Sequence, residues 1–161
     1  ALSHDEDLGA ALDPGWHARL QSFAHGDPAS PEEWSYWLEV GELGVRLCLG
    51  RKDAPPDVIA SAIRKTTLDP RAMELLAQEP GASDPLLVAL AHRPEQRVRV
   101  ALASRDDLPD DALRVLLTDD ELLVRLRLAT RRPLPPWARE ALADDFEPSV
   151  RRAVAWPQGR P

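Results

Sequence analysis

Val98-Arg99-Val100-Ala101-Leu102-Ala103, Val124-Arg125-Leu126-Arg127-Leu128-Ala129 and Val150-Arg151-Arg152-Ala153-Val154-Ala155 all read V-R-x-x-[LV]-A, and successive copies stand 26 residues apart. Self-similarity at a fixed period of about 20–50 residues is the signature of stacked repeat architectures. An apolar stretch opened by proline precedes the later copies: Pro109 to Leu117 leads into Val124, and Pro135 to Ala143 leads into Val150. The pattern continues towards the N-terminus with falling fidelity. Ala72 to Ala77 keeps the Leu-Ala pair without the arginine, Val45-Arg46-Leu47-Cys48-Leu49-Gly50 is a nearly full match, and Arg19 to Ala24 matches only in its apolar-Ala end. The whole chain reads as about six units.

Each unit has a physical reading as a pair of helices. Proline suits the first helical turn, where its missing N–H costs nothing, and acidic residues such as Asp110 and Asp111 favour the positive end of the helix dipole. Ala112, Val115 and Leu116, and again Ala138, Ala141 and Leu142, keep a 3.6-residue apolar period. Asp119-Asp120 and Asp144-Asp145 are placed to make the turn and cap a second, shorter helix. On that helix Val124 and Leu128, like Val150 and Val154, lie four apart on one face. No stretch alternates at period two long enough for a strand. One such helix pair cannot bury its apolar face alone, so neighbours must stack. The expected fold is all-α: an α-solenoid forming one domain over 1–161, with an N-terminal cap and degenerate first repeat over 1–27, degenerate repeats over 28–83 and well-formed repeats over 84–161. In it Leu102, Leu128 and Val154 fill the core between repeats, while Ala103, Ala129 and Ala155 allow close helix approach.

The sequence of Asp, V-R-x-x-V-A, Pro and a Leu/Ala helix resembles the leucine-rich repeat variant family of bacteria. The resemblance is clearest over 84–161, weaker over 28–80 and absent over 1–13. It implies a bacterial protein with a right-handed superhelix of alternating α and short 3₁₀ helices. Nothing here matches the cysteine-rich iron–sulfur module that some members carry. The chain is also similar to HEAT-type repeats, which often place Asp six residues before Arg, as Asp119–Arg125 and Asp145–Arg151 do; Arg93, six before Arg99, departs from that pattern.

Composition narrows the function. The chain has 161 residues, 43% hydrophobic and 29% charged, as globular proteins do. No run of about 18 apolar residues offers a transmembrane helix. No basic, then apolar, then small-residue stretch opens the chain, and a cytoplasmic location is expected. A single cysteine, Cys48, rules out an internal disulfide and a metal cluster held by cysteines of one chain. Residues 1–80 carry 14 Asp and Glu against 7 Lys and Arg, whereas residues 81–161 carry 13 of each. A net charge of −7 opposes general attraction to nucleic acid, and the acidic first half leads to the expectation of a partner with a basic segment.

Catalytic signatures are missing. His4, His17, His25 and His92 do not sit at metal-ligand spacings, and there is no G-x-S-x-G, Walker loop or G-x-G-x-x-G. Cys48 reads as a small buried hydrophobe. The expectation is therefore a protein- or peptide-binding scaffold without catalysis, cofactor or metal. The alternative is a nucleic-acid-binding or alkylated-base-repair protein of HEAT type. Candidate partner-binding residues are Arg99, Arg125, Arg127, Arg151 and Arg152 with Trp34 and Trp37, because Arg and Trp dominate interface hot spots. The recurring Arg46, Arg99, Arg125 and Arg151 also fit a structural ladder, each bonded to the preceding turn's Asp or to helix-end carbonyls. A looser group of Arg97, Arg105, Arg127, Arg131, Arg132 and Arg152 reads as a solvated face. Trp34 and Trp37, three apart on one helix, fit core packing unless exposed, and Trp156 is placed to cover the end of the last repeat.

Overall fold

The computed structural model describes residues 15–156; His4 and the first part of the expected N-terminal cap lie outside them. Among the described residues there are eleven helices and no strand: α1 (Trp16–His25), α2 (Pro31–Glu39), α3 (Glu42–Gly50), α4 (Pro56–Lys65), α5 (Pro70–Gln78), α6 (Asp84–Ala91), α7 (Gln96–Ala103), α8 (Asp110–Leu117), α9 (Leu122–Thr130), α10 (Pro136–Ala143) and α11 (Pro148–Ala155). All are α-helices, including those at positions where the family resemblance implies 3₁₀ turns. The second helix of each pair is not shorter: α8 and α10 have 8 residues, α9 has 9 and α11 has 8. No described helix is long and apolar enough to cross a membrane.

The starts of the helices follow from local chemistry. Ser30 Oγ accepts from the Glu33 N–H at 3.2 Å and Asp69 Oδ1 from the Ala72 N–H at 2.8 Å, each just before a proline at the first helical position. Pro109 and Pro135 stand one residue outside α8 and α10, as N-cap residues. Asp119 Oδ1 and Asp145 Oδ1 accept from the Glu121 and Glu147 N–H groups at 2.9 and 2.8 Å, closing the turns that launch α9 and α11.

The chain divides into two compact units, one ending at Thr67 and one beginning at Leu68. In the first, α2, α3 and α4 pack on one another around an aromatic cluster. Phe23 meets Trp34 edge-on at 4.9 Å between ring centroids and Trp37 at 5.3 Å. Gly44 lets α3 cross α2 closely, because a Cβ there would stand 1.9 Å from the Trp37 carbonyl oxygen. In the second unit α5, α7, α9 and α11 form one layer, each packed on the next, and α6, α8 and α10 form the other. Leu102 and Leu128 are fully buried between the layers, with Ala103 and Ala129 beside them, and Val154 is nearly so; Ala155 is exposed.

Candidate functional site

Arginine side chains clamp the main chain within each unit, and the structure sorts them into two clamping sets and one exposed set. In the first set, the Arg99 Nη1 donates to the carbonyls of Arg93 and Pro94, both at 2.8 Å. Its Nε and Nη2 reach forward to Asp119 at 2.6 and 3.2 Å. Arg125 repeats the arrangement: Nη1 on the carbonyls of Asp119 and Asp120 (2.6 and 3.2 Å), Nε on Asp145 Oδ2 (2.8 Å). Arg151 keeps the backward half, with Nη1 on the carbonyls of Asp145 and Phe146 at 2.6 and 2.9 Å. Asp119 and Asp145 thus bind one arginine through the side chain and the next through the main chain. A ladder runs from Arg99 to Arg151. Bidentate Arg–carboxylate pairs of this kind fix geometry as well as adding energy. Asp119 holds the Arg99 guanidinium even more firmly protonated than usual, outweighing the cost of its burial.

This ladder was half legible. The carbonyls of the preceding turn are the expected ones, but the carboxylate comes from the turn 20 residues ahead, not from the Asp six residues behind. Arg93 therefore interrupts nothing: Arg99 uses its carbonyl, which every residue supplies. At the position of the ladder arginine in α5 stands Met73, fully buried, and 20 residues on, where an Asp would pair with it, stands Arg93, bound to Glu95 at 2.7 Å. Arginine and aspartate are replaced together.

The second buried set escaped the sequence reading. Arg51 follows α3, and its Nη1 and Nη2 donate to the Phe23 and Asp27 carbonyls at 2.7 and 2.8 Å. Asp53 takes its Nε at 2.8 Å, and the guanidinium lies over the Phe23 and Trp34 rings. Arg105 does the same after α7: Nη1 on the carbonyls of Ala77 and Glu79 (2.8 and 3.0 Å), the fork on Asp107 (2.7 Å twice). These arginines hold the Asp53 and Asp107 carboxyls below the usual range, chiefly by hydrogen bonding. Arg131, after α9, is 7% exposed but has Pro133 where the others have Asp. It donates to the Asp106 carbonyl at 2.9 Å, while its Nε and Nη1 are buried without a hydrogen-bond partner. Burial pulls its pKa down, against the nearby Asp106, Asp107 and Asp110. Arg105 and Arg131 are accordingly not part of a solvated face. The available signal was R-x-D, which recurs at Arg51 and Arg105 just after a copy of the main motif.

The exposed set lies on the outer side of the α5–α7–α9–α11 layer. Positions 26 residues apart align there as Arg71, Arg97, Leu123 and Ser149; as Glu74, Val100, Leu126 and Arg152; and as Leu75, Ala101, Arg127 and Ala153. Leu75 is 51% exposed, Leu123 48% and Trp156 69%. Arg71 pairs with Glu74 at 3.1 Å. The side chains of Arg97, Arg127 and Arg152 are exposed and make no hydrogen bond or ion pair among the described residues. A groove of about 540 Å³ runs between α5 and α7, with Arg71, Arg97, Val100 and Leu123 in its lining.

Of the candidate partner-binding residues, Arg127 and Arg152 lie on this face, and Arg151 is exposed at the open end of the ladder. Arg99 and Arg125 are committed to internal pairs; Arg125 is 2% exposed. Trp34 and Trp37, 5% and 0% exposed, are the core of the first unit and present nothing to a partner, because α2 turns their common face inward onto Phe23. Trp156 stands out into solvent and covers no end. Cys48 is fully buried, and burial pushes its thiol up to about 11 against the pull of Arg51. Among the described residues no three His, Cys, Asp or Glu side chains converge as a metal site would require. Compared with known proteins, the chain matches no family model, no curated protein and no solved structure.

Proposed function

We propose that this protein is a non-catalytic scaffold that binds another protein or a peptide, built as a short right-handed α-solenoid of about six two-helix repeats with a period of roughly 26 residues. The observation that carries the reading is the outer face of α5, α7, α9 and α11, where exposed leucines stand among arginines without a partner among the described residues. Elsewhere in the unit Arg99, Arg105 and Arg125 are held by internal carbonyls and carboxylates. A contiguous exposed apolar surface edged by polar groups marks an interaction site. Among the described residues no exposed large hydrophobic side chain lies on the helices of the opposite layer, where Arg114 is tied to Asp111 at 3.0 Å and lies over the Trp137 ring. The cytoplasm is the compartment we assign.

A photo-crosslinking residue at position 123, compared with one at the exposed position 141 of α10, tests the reading in native lysate. Discrete adducts from position 123 that are missing from position 141 are expected. Indistinguishable adduct patterns from the two positions would remove the basis for a docking face.

A further inference from the structure

The exposed face also specifies the chemistry of what it binds. Three arginines there, Arg97, Arg127 and Arg152, have no counter-charge among the described residues, and the one carboxylate aligned with them, Glu74, is taken by Arg71. The remaining aligned positions are apolar or uncharged, with Leu75, Val100, Leu123 and Leu126 presented beside the arginines. This sign is opposite to that of the chain as a whole, which carries 27 acidic against 20 basic residues. Nothing in the fold requires the imbalance: these positions are solvent-facing, and the buried ladder is made by other residues.

The size of the face sets the shape of the occupant. Three inter-helix steps of about 8–10 Å give a strip of about 24–30 Å, and helices of this length are about 12 Å long. A single helix, about 10–12 Å across, fills such a strip with about 18 residues. Leucines that face solvent need an apolar stripe, and unpaired arginines need carboxylates beside it. A nucleic-acid backbone would satisfy the arginines and leave Leu75 and Leu123 against phosphate. The arginines are moreover too few for backbone-driven binding, which rests on many phosphate contacts.

We propose that the outer face of α5, α7, α9 and α11 binds an acidic amphipathic helix, with its apolar stripe on Leu123 and Leu126 and its carboxylates on Arg97, Arg127 and Arg152. The inference rests on the docking role above and adds the sign and shape of the partner. It departs from the basic partner segment expected from the acidic first half of the chain.

The test is fluorescence anisotropy on the full chain with synthetic helical peptides of about 18 residues. One is Glu-rich with a leucine stripe, one has Lys for every Glu, one has Ser for every Leu, and a short DNA duplex is the fourth probe. The acidic leucine peptide is expected to bind, and the others to bind at least about tenfold more weakly. The charge-reversal variant Arg97→Glu/Arg127→Glu/Arg152→Glu, whose side chains take no part in the core, should lose the acidic peptide by a similar factor and gain the basic one. Raising salt from about 0.05 to 0.5 M should weaken the wild-type complex. Binding of the acidic peptide unchanged by charge reversal, preference of the wild type for the basic peptide or the duplex, or no peptide binding at all would overturn the proposal. Position-123 crosslinking separates the two readings: adducts that survive charge reversal leave the docking role standing and reject only the acidic helix, whereas no adducts at that position would end both.

Discussion

Residues 15–67 and 68–156 solve the same joining problem with opposite polarity. In the second unit the helix supplies the donor, Arg99 or Arg125, and the turn 20 residues ahead supplies the carboxylate. In the first unit Arg46 occupies the arginine position of a nearly full motif, yet the residue 20 ahead is Thr66. There the helix supplies the acceptor instead. Glu42 takes the Thr66 hydroxyl at 3.1 Å, the Thr67 N–H at 3.0 Å and the Thr67 hydroxyl at 2.8 Å. Arg46 is left on the surface, its side chain 60% exposed and paired with Glu42 at 3.2 Å, whereas the side chain of Arg125 is 3% exposed. What the architecture demands is complementarity between a helix and the turn that follows its neighbour. The identity of the donor is free to change if the acceptor changes with it.

The largest test of this contrast is Asp145→Ala. It strands the buried Arg125 charge and removes the acceptor of the Glu147 N–H, so a loss of about 3–5 kcal/mol is expected in urea melts. Adding Arg125→Met should recover part of the loss, because the stranded charge disappears; no recovery would mean that the pair is not the source. Next comes Leu128→Ala, at about 2–5 kcal/mol, since Leu128 is fully buried between layers. Val154→Ala should cost less, because α11 is the last described helix and packs chiefly on α9 and α10. Equal small losses at both sites would contradict the layer order.

The R-x-D clamps offer a smaller and sharper comparison. Arg105→Met gives up two carbonyls and a bidentate aspartate and should destabilise by about 2–3 kcal/mol. Arg131→Met removes a buried cation with two unmet donors and should be within about 1 kcal/mol of wild type, or more stable. A larger loss for Arg131 than for Arg105 would show that its neighbouring aspartates already compensate it.

In the first unit Glu42→Gln should cost about 0.5–1.5 kcal/mol at neutral pH. Burial raises the Glu42 pKa, but the Thr67 N–H and hydroxyl, Arg46 and Thr66 together hold it below the usual value. A depressed carboxyl stabilises the fold above its unfolded pKa, about 4.3, and loses that contribution as pH falls through the folded value. Stability of the wild type should therefore drop on acidification below about pH 4.3, and the Gln variant should show a shallower acid limb. Parallel limbs would place the titration elsewhere.

The arginines of the outer face are legible in the sequence as members of a solvated face. Arg97, Arg127 and Arg152 belong to that group together with Arg105 and Arg131, the exposed with the buried. Period alone could not separate them from Arg105 and Arg131, because the exposed and buried arginines have the same composition and nearly the same spacing. The difference arises where the helix stops. Arg127 is inside α9 and stays on its outer side, while Arg131, four residues later, follows the last helical residue with an extended backbone, φ −66° and ψ 147°. The i, i+4 relation that would keep both on one side holds only within a helix.

The amino-acid sequence by itself determined the all-α class, the 26-residue period, the proline- and aspartate-marked helix starts and the buried Leu102-Ala103 and Leu128-Ala129 pairs. Each of these depends on residues close together in the chain, whose backbone preferences and apolar spacing act locally. The tertiary structure alone decided which carboxylate meets which arginine, which tryptophans are core and which arginines remain free. Those outcomes depend on groups about 20 or more residues apart being brought within hydrogen-bond distance by helix stacking. Hydrogen bonds of about 3 Å leave no tolerance for a guess at that placement.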